Sequence, residues 1–584
     1  MDGANIGKTF ISKKFSNTLD SFWIMVNPHV LINPFDFVSV DNLNNTKTIG
    51  VVKDLQRIFL SDDLKYKNFY NSLKDDSSNN IFEEKGIGVT IANIFVMANI
   101  SNNDSSNQSD DHNTNTYHTS TRKSVSSINM PVEEGKLVVF ASAADIIESL
   151  GVPKMEHPIP AGIIEMTNGT LVPIYLDVSY IFGPDTAHVN ASGISGNMKT
   201  GYLIFLLQVI YHTLSKEGVA VILFNTKEKD LLSVDKNLDE NLDQKDKSLI
   251  KLLNVELTPF QNVKYFLPRG KNGNPNSAYI PEGFYKTYSY ELSDVYDRLE
   301  LLFHSDTIYD PHYNISSLIN YVYETWSLVN DNDNDGNISK KIKNWTDLIN
   351  FSDYPEEIVT NKSTLLKFQG SIQRFKRPST LFVDKKITSN YIGNEIKQLK
   401  KDDVFVIDIA MLSALEEQAF VIGDVMKTID EMYSHGHTDY PTNKNTSQSH
   451  TNKPKYILIL LDEINRFMPH LDSSGFPHGS GTLLSSAVSE EILKTLIAGK
   501  SRHTILLSAQ QFKSQVNPLL NDNTGLHVIT KLGLSELSTT SYSIIDNMTK
   551  TAISKLHRGE IILIHSAFRH PIKITIPKPT FKRP

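Results

Sequence analysis

The chain contains no cysteine, which excludes disulfides, thiolate zinc clusters and a cysteine nucleophile and fits a reducing compartment. Long apolar runs are missing too. The longest aliphatic stretch, Tyr456 to Leu461, is far short of the ~20 residues a membrane helix needs. Met1 to Lys14 is polar and lacks the apolar core of a secretory signal, so the expected location is the cytoplasm, away from any membrane. There is no excess of positive charge. Lys and Arg total 58 against 66 Asp and Glu, a net charge of −8. That excludes a protein coating nucleic acid over its whole surface, but not one gripping it in a confined channel. The 18 histidines form no H-E-x-x-H spacing, and there is no G-x-S-x-G elbow, so neither a zinc hydrolase nor a serine hydrolase is indicated.

What is present is a chain of 584 residues, 40% hydrophobic and 21% charged, ordinary proportions for a globular protein. At roughly 150 residues per domain it allows up to about four domains. The first part reads as short strands between Asn, Pro and Gly turns: Phe22–Val26, Asp36–Val40, Lys47–Val52, Gly88–Val96 and Leu137–Phe140. Such spacing suggests a small barrel or sandwich. The stretch near 101–128, almost wholly Asn, Ser, Asp and Thr, cannot bury apolar area and is expected to be a disordered loop. From about Tyr180 apolar strands alternate with helical segments, the signature of an α/β domain with a parallel sheet. Its candidate strands are Val219–Phe224, Val404–Asp408, Tyr456–Leu461 and Thr504–Leu507. Helical spacing of Leu318, Val322 and Trp326 predicts an inserted helical lobe over about 300–400.

The most informative segment runs from His188 to Thr200. A strand enters a turn containing Gly193, Ser195, Gly196, Asn197 and Met198, then Lys199-Thr200, then an apolar helix. That is the context of a phosphate-binding loop. Backbone N–H groups converge on phosphate oxygens at a helix N-terminus, and the lysine reaches the β- and γ-phosphates. The Thr200 hydroxyl would sit on Mg²⁺. The full pattern places glycine before the lysine, where this chain has Met198. The competing reading is an ordinary strand–turn–helix junction that carries Lys-Thr.

The buried strand Lys455–Leu461 ends in Asp462-Glu463, which puts two carboxylates at the sheet edge where open α/β sheets bind ligands. Asp462 would complete the Mg²⁺ shell, and Glu463 would orient or deprotonate an attacking water. A third strand, Thr504–Leu507, continues to Gln510-Gln511, an amide able to sense a γ-phosphate through water. Arg502, before that strand, lies towards the opposite edge and could serve a neighbouring subunit as an arginine finger.

In these segments the chain resembles the HerA-type ATPases of the HerA/FtsK superfamily. Ile49-Gly50-Val51-Val52 is similar to that family's N-terminal barrel, and Met130-Pro131-Val132 with Ile159-Pro160-Ala161-Gly162 resembles its barrel-to-ATPase connection. Lys199-Thr200, Asp462-Glu463 and Ala509-Gln510-Gln511 resemble its binding, hydrolysis and sensor motifs. Leu556–Glu560 and Pro571-Ile572-Lys573 resemble its closing strands. The resemblance implies an N-terminal barrel over 1–180, then a RecA-like P-loop ATPase core over 181–584. It also implies ATP and Mg²⁺ as cofactors and a homo-hexameric ring that threads and translocates duplex DNA. A NurA-like nuclease or another effector would be the partner, in repair of broken ends or in defence. Two departures stand out: Met198, and Phe224–Asp230, which lacks the family's acidic D-x-x-G-E stretch. The second leaves Glu463 as the principal base. The register puts Gln511 on the sensor, whereas a shift of one residue favours Gln510. A DNA-transfer ATPase and a ring scaffold with little turnover are the rival readings. The basic clusters Lys264, Arg269, Lys271 and Arg374, Lys376, Arg377 are solvated faces as readily as a phosphate track.

Overall fold

A computed structural model describes residues 5–43, 45–59, 88–101, 130–183, 187–214, 218–237, 242–255, 257–303, 314–327, 342–356, 358, 362–376, 380–434, 452–471 and 487–581. The polar stretch near 101–128, and most of those near 330–334 and 440–453, lie outside these residues.

Six strands close into an antiparallel barrel: β1 (Asn5–Thr9), β2 (Ser21–Val26), β3 (Phe37–Asn42), β4 (Thr46–Phe59), β5 (Gly88–Ser101) and β6 (Leu137–Phe140). Their order is β1-β2-β5-β4-β3-β6, and β6 returns to β1. Inward positions of the alternating pattern fill the interior, with Ile6, Phe22, Ile24, Val38, Val40, Val52, Ile94 and Val138 forming one cluster. The long pair β4–β5 carries register shifts at Ile49/Gly50 and Val52/Asp54, the bulges that let a ribbon coil into a closed barrel.

The second unit is a sheet of twelve strands among the described residues. They are β7 (Pro158–Glu165), β8 (Leu171–Asp177), β9 (Val189–Ser192), β10 (Val219–Asn225), β11 (Val263–Pro268) and β12 (Tyr285–Tyr288), then β13 (Val404–Asp408), β14 (Tyr456–Leu461), β15 (Thr504–Gln510), β16 (Leu526–Ile529), β17 (Glu560–His565) and β18 (Ile572–Thr575). The order is β12-β11-β13-β10-β14-β15-β9-β16-β17-β18-β7-β8. From β12 to β16 every pairing is parallel, and from β16 to β8 every pairing is antiparallel. One strand, β15, separates β9 from β14, which is the RecA-like arrangement.

The parallel strands are covered on both faces, so they read as continuous apolar runs. In β10, Val219, Val221 and Leu223 face one core, and Ala220, Ile222 and Phe224 face the other. The first core holds the helix Lys199–Leu214, buried nearly all round. The second holds helices from the 300–400 interval, including Trp345, whose Nε1 donates to Tyr290 O at 3.0 Å.

The barrel-to-core division falls earlier than residue 180. β7 and β8 belong to the large sheet through Ile163–Thr575 pairing, and barrel strands end at Phe140. Their alternating pattern is that of any antiparallel hairpin. Only a partner more than 400 residues away in the chain assigns them to the second sheet.

Candidate nucleotide site

Strand β9 lies between β15 and β16, and the chain leaves it through a turn that needs glycine at one point. Gly193 has φ +150°, and a Cβ there would meet Thr530 Oγ1 at 1.9 Å and Lys531 O at 3.2 Å. The loop is pinned beside β16 by the Ile194 N–H, which donates to Lys531 O at 3.0 Å. Ile194, Ser195 and Gly196 are exposed, and Asn197 and Met198 are half-buried. Met198 has φ +62°, so methionine adopts the left-handed conformation that glycine would take, at a cost of about 1–2 kcal/mol. Its side chain packs against the first core, which offsets part of that cost. Met198 O accepts the Tyr202 N–H at 2.8 Å, and the helix Lys199–Leu214 starts there. The first N–H groups of that helix have no acceptor within it. Lys199 is buried, and its Nζ donates to Ile194 O at 3.2 Å. Burial pushes its pKa down, and Asp462 works in the opposite direction.

The acid pair stands beside this loop. β14 ends at Leu461, level with Phe224 of β10 and Ser508 of β15. Asp462 is 5% exposed. Thr200 Oγ1 donates to Asp462 Oδ2 at 2.8 Å, and the Glu463 N–H donates to Asp462 Oδ1 at 2.8 Å. Glu463 has φ +54° and ψ +41°, a left-handed conformation for a non-glycine residue of the kind that gathers at functional sites. Lys227, in the turn after β10, places Nζ 2.9 Å from Asp462 Oδ2 and 3.3 Å from Glu463 Oε1. Arg466 NH1 lies 3.2 Å from Glu463 Oε2. Burial alone would depress the Lys227 pKa, but the two carboxylates outweigh it and hold it above the ordinary lysine value.

These residues fit Mg²⁺. Among the described residues no group of three or more His, Cys, Asp or Glu could hold a metal ion. A hydroxyl and one carboxylate that already meet can hold a cation which takes its remaining ligands from phosphate and water, the habit of Mg²⁺. Thr200 and Asp462 would hold it, and it would supply charge neutralisation at the phosphates.

The two amides part company. Gln510, the last residue of β15, is fully buried. It donates to Asn190 Oδ1 at 2.7 Å and accepts from Asn190 Nδ2 at 2.8 Å. That commits it to the β15–β9 seam. Gln511, half-buried just past the strand, stands at the sheet edge. Arg502 ends the helix Ala487–Arg502 before β15 begins. Because β15 runs parallel to β9 and β14, Arg502 lies at the edge opposite the loop, away from Lys199 and Asp462. Both basic clusters are partly neutralised: Lys264 pairs with Asp403 at 3.0 Å, Arg374 with Glu416 and Lys376 with Asp384. Arg377 lies outside the described residues. Sequence reasoning missed Lys227, Arg466 and Asn190. A cation three residues after Glu463 was a readable signal for Arg466, and a strand-end lysine next to the acid strand was one for Lys227.

No protein-family profile matches the chain, and no curated protein does. Solved structures similar to it include VirB4 of Thermoanaerobacter pseudethanolicus, at 11% identity and TM-score 0.41, covering 72% of this chain and 96% of that one. The bacterial conjugative coupling protein TrwB overlaps at 11% identity and TM-score 0.40, covering 76% and 94%. The genome packaging NTPase B204 from Sulfolobus turreted icosahedral virus 2 overlaps at 9% identity and TM-score 0.21, covering 32% and 72%. Overlaps this loose carry no functional weight. Strand order and loop define a RecA-like α/β fold, and the reading of the site stands on its own geometry. Among the described residues no helix is long and apolar enough to cross a membrane.

Proposed function

We propose that the chain is an Mg²⁺-dependent ATPase, and that it works as a homo-hexameric ring motor on duplex DNA with a nuclease or another effector as partner. The observation that carries the ATPase reading is the 2.8 Å hydrogen bond from Thr200 to Asp462. It joins the end of the glycine loop to the end of the acid strand across 262 residues of sequence, where a metal ion and phosphate would meet. In this reading the backbone N–H groups from Gly193 to Met198 and the Lys199 ammonium bind the β- and γ-phosphates. Glu463 orients a water whose oxygen attacks the γ-phosphorus. The bond to the β–γ bridging oxygen breaks, and the water's proton passes to the carboxylate. In the same reading Gln511, half-buried just past β15, senses the γ-phosphate.

The ring reading draws on the place of Arg502 in the chain, before β15 begins. An arginine at that position in the fold would suit a neighbouring subunit's nucleotide rather than its own. Duplex DNA as substrate rests on the resemblance of the barrel and the motifs. With a net charge of −8, phosphate contacts would have to be focused inside the ring, and affinity should fall steeply with salt. A nucleotide-binding scaffold with slow turnover is the second reading. It is favoured by Glu463, whose two oxygens both face cations at 3.2–3.3 Å. The test is the ATPase rate with and without linear duplex DNA across a salt series. Stimulation by DNA that fades with salt supports the motor. Turnover indifferent to DNA removes DNA as the substrate, and no turnover under any condition leaves the scaffold.

A further inference from the structure

Asp462 Oδ2 accepts two donors at once, the Thr200 hydroxyl at 2.8 Å and the Lys227 ammonium at 2.9 Å. A carboxylate oxygen offers about two lone-pair positions, so both on Oδ2 are taken. Oδ1 is turned to the Glu463 N–H, and Oδ2 is the oxygen that meets Thr200, so an Mg²⁺ ion shared with Thr200 would need Oδ2 at about 2.0–2.1 Å, inside the space the ammonium fills. Thr200 can stay, because a hydroxyl turns a lone pair towards a metal as readily as its proton towards a carboxylate. Lys227 cannot stay, because an ammonium has three donors and no acceptor. We propose that Lys227 is a resident cation of the acid pair, competing with a divalent metal ion for Asp462 and leaving when metal and nucleotide arrive. The proposal rests on reading this pair as the metal end of the nucleotide site.

Three further features agree with a cation built to leave. The Lys227 side chain is 36% exposed, so its flexible stem is not locked in a core. Asp462 keeps its orientation without it, through Thr200 on one oxygen and the Glu463 N–H on the other. Glu463 keeps Arg466 at 3.2 Å when its 3.3 Å contact to Lys227 is lost. The local charges also require exchange. Lys227 and Arg466 balance Asp462 and Glu463, so a divalent ion added with Lys227 in place would lie against a like charge at contact distance. Lys227 thus does what an acidic residue in the same turn could not: it balances the charge of two adjacent carboxylates before the metal is present.

A purely structural salt bridge and a competing cation make opposite predictions. If Lys227 only braces Asp462, removing it loosens the carboxylate and weakens metal binding. If it competes, removing it strengthens metal binding. The experiment titrates the full-length chain with Mn²⁺, followed by electron paramagnetic resonance, without nucleotide and at constant ionic strength. Lys227→Met should bind Mn²⁺ about tenfold tighter or more, since a unit charge is removed from contact with the ligand oxygen. Lys227→Arg should stay near wild type. The gain should vanish when Asp462→Asn is added to Lys227→Met. Should Lys227→Met not fold, Lys227→Gln carries the same test. Equal or weaker Mn²⁺ binding by the uncharged variant overturns the proposal. ATP affinity of the wild-type chain separates the two readings. A Mn²⁺ gain without any ATP binding would sink the nucleotide reading and leave the competition standing. ATP binding without a Mn²⁺ gain would do the reverse.

Discussion

Substituting Gly193→Ala tests whether the loop geometry depends on a backbone only glycine adopts. Two costs can be read from the structure. The φ of +150° is a region that L-residues enter at about 1–3 kcal/mol. The new Cβ would stand 1.9 Å from Thr530 Oγ1, an overlap that forces the loop or β16 to shift, at about 1–3 kcal/mol for overpacking. Together they destabilise by about 2–6 kcal/mol if the loop holds its place. If it moves instead, the shift is taken where phosphate would bind, and ATP affinity falls. The companion change Thr530→Ala removes Oγ1 and its poor 3.4 Å bond to Ser192 O. The nearest remaining atoms are then Thr530 Cβ at 3.1 Å and Lys531 O at 3.2 Å. The double variant should therefore recover most of the steric part of about 1–3 kcal/mol and leave the backbone part. Urea unfolding at constant slope measures the stability change, and titration calorimetry with Mg-ATP measures affinity. A Gly193→Ala chain within about 0.5 kcal/mol of wild type and with unchanged ATP affinity would refute the reasoning, as would strict additivity with Thr530→Ala.

Lys199→Ala should abolish measurable ATP binding, and unchanged calorimetric affinity would make the loop merely structural. Glu463→Gln should keep ATP affinity but lose about 10²-fold or more in turnover. Asp462→Asn should instead shift the Mg²⁺ dependence, so identical effects from the two would contradict their separate roles. His565 is buried and its pKa is pushed down to about 4, by burial above all, with Asp177 pulling the other way. Its Nδ1 accepts the Ala567 N–H at 3.1 Å, so the fold needs a neutral ring. The unfolded chain binds this proton near pH 6.5. The stabilisation is therefore complete above about pH 6.5 and is lost as pH falls towards 4, amounting to about 3 kcal/mol. His565→Gln should flatten that part of the stability–pH curve measured by urea unfolding, and an unchanged slope would exclude His565 as the cause.

The parallel half of the sheet was legible because burial on both faces erases alternation. Val219–Phe224 and Tyr456–Leu461 can be little else than central strands, and β10 and β14 stand there. Barrel strands β2 to β6 were legible from β-branched runs between turn residues. The end of the barrel was not, since nothing local in Ile159 to Gly162 tells a barrel hairpin from one that joins a sheet through Thr575. Strands β11, β12 and β16 escaped notice for a related reason. They are short and carry Lys264, Tyr285 and His527, and they are strands because of the neighbours they pair with.

The site divides along the same line. Lys199 and Thr200 are set by a local junction, and Asp462 by the end of a local strand, so each could be read where it stands. That Thr200 meets Asp462 depends only on β15 lying between β9 and β14, and a parallel sheet brings all three strand ends to one edge. Met198 read as a flaw because sequence shows its Cβ but not its φ. The backbone keeps the glycine-like turn, and the side chain finds a place on the core. Lys227 read as a missing acid, since its significance depends wholly on β10 lying against β14. Once it is placed, the charges form a consistent set. Two carboxylates are balanced by Lys227 and Arg466, and Lys199, a further loop cation, is buried and donates, among the described residues, to the Ile194 carbonyl. A buried ammonium whose burial outweighs the pull of Asp462 favours an arriving anion, whereas a carboxylate pair already balanced does not favour a free metal ion. The arrangement therefore favours phosphate and metal entering together over either one alone. Under the proposed ATPase reading, that preference is a physical reason for the site to take Mg-ATP as a unit.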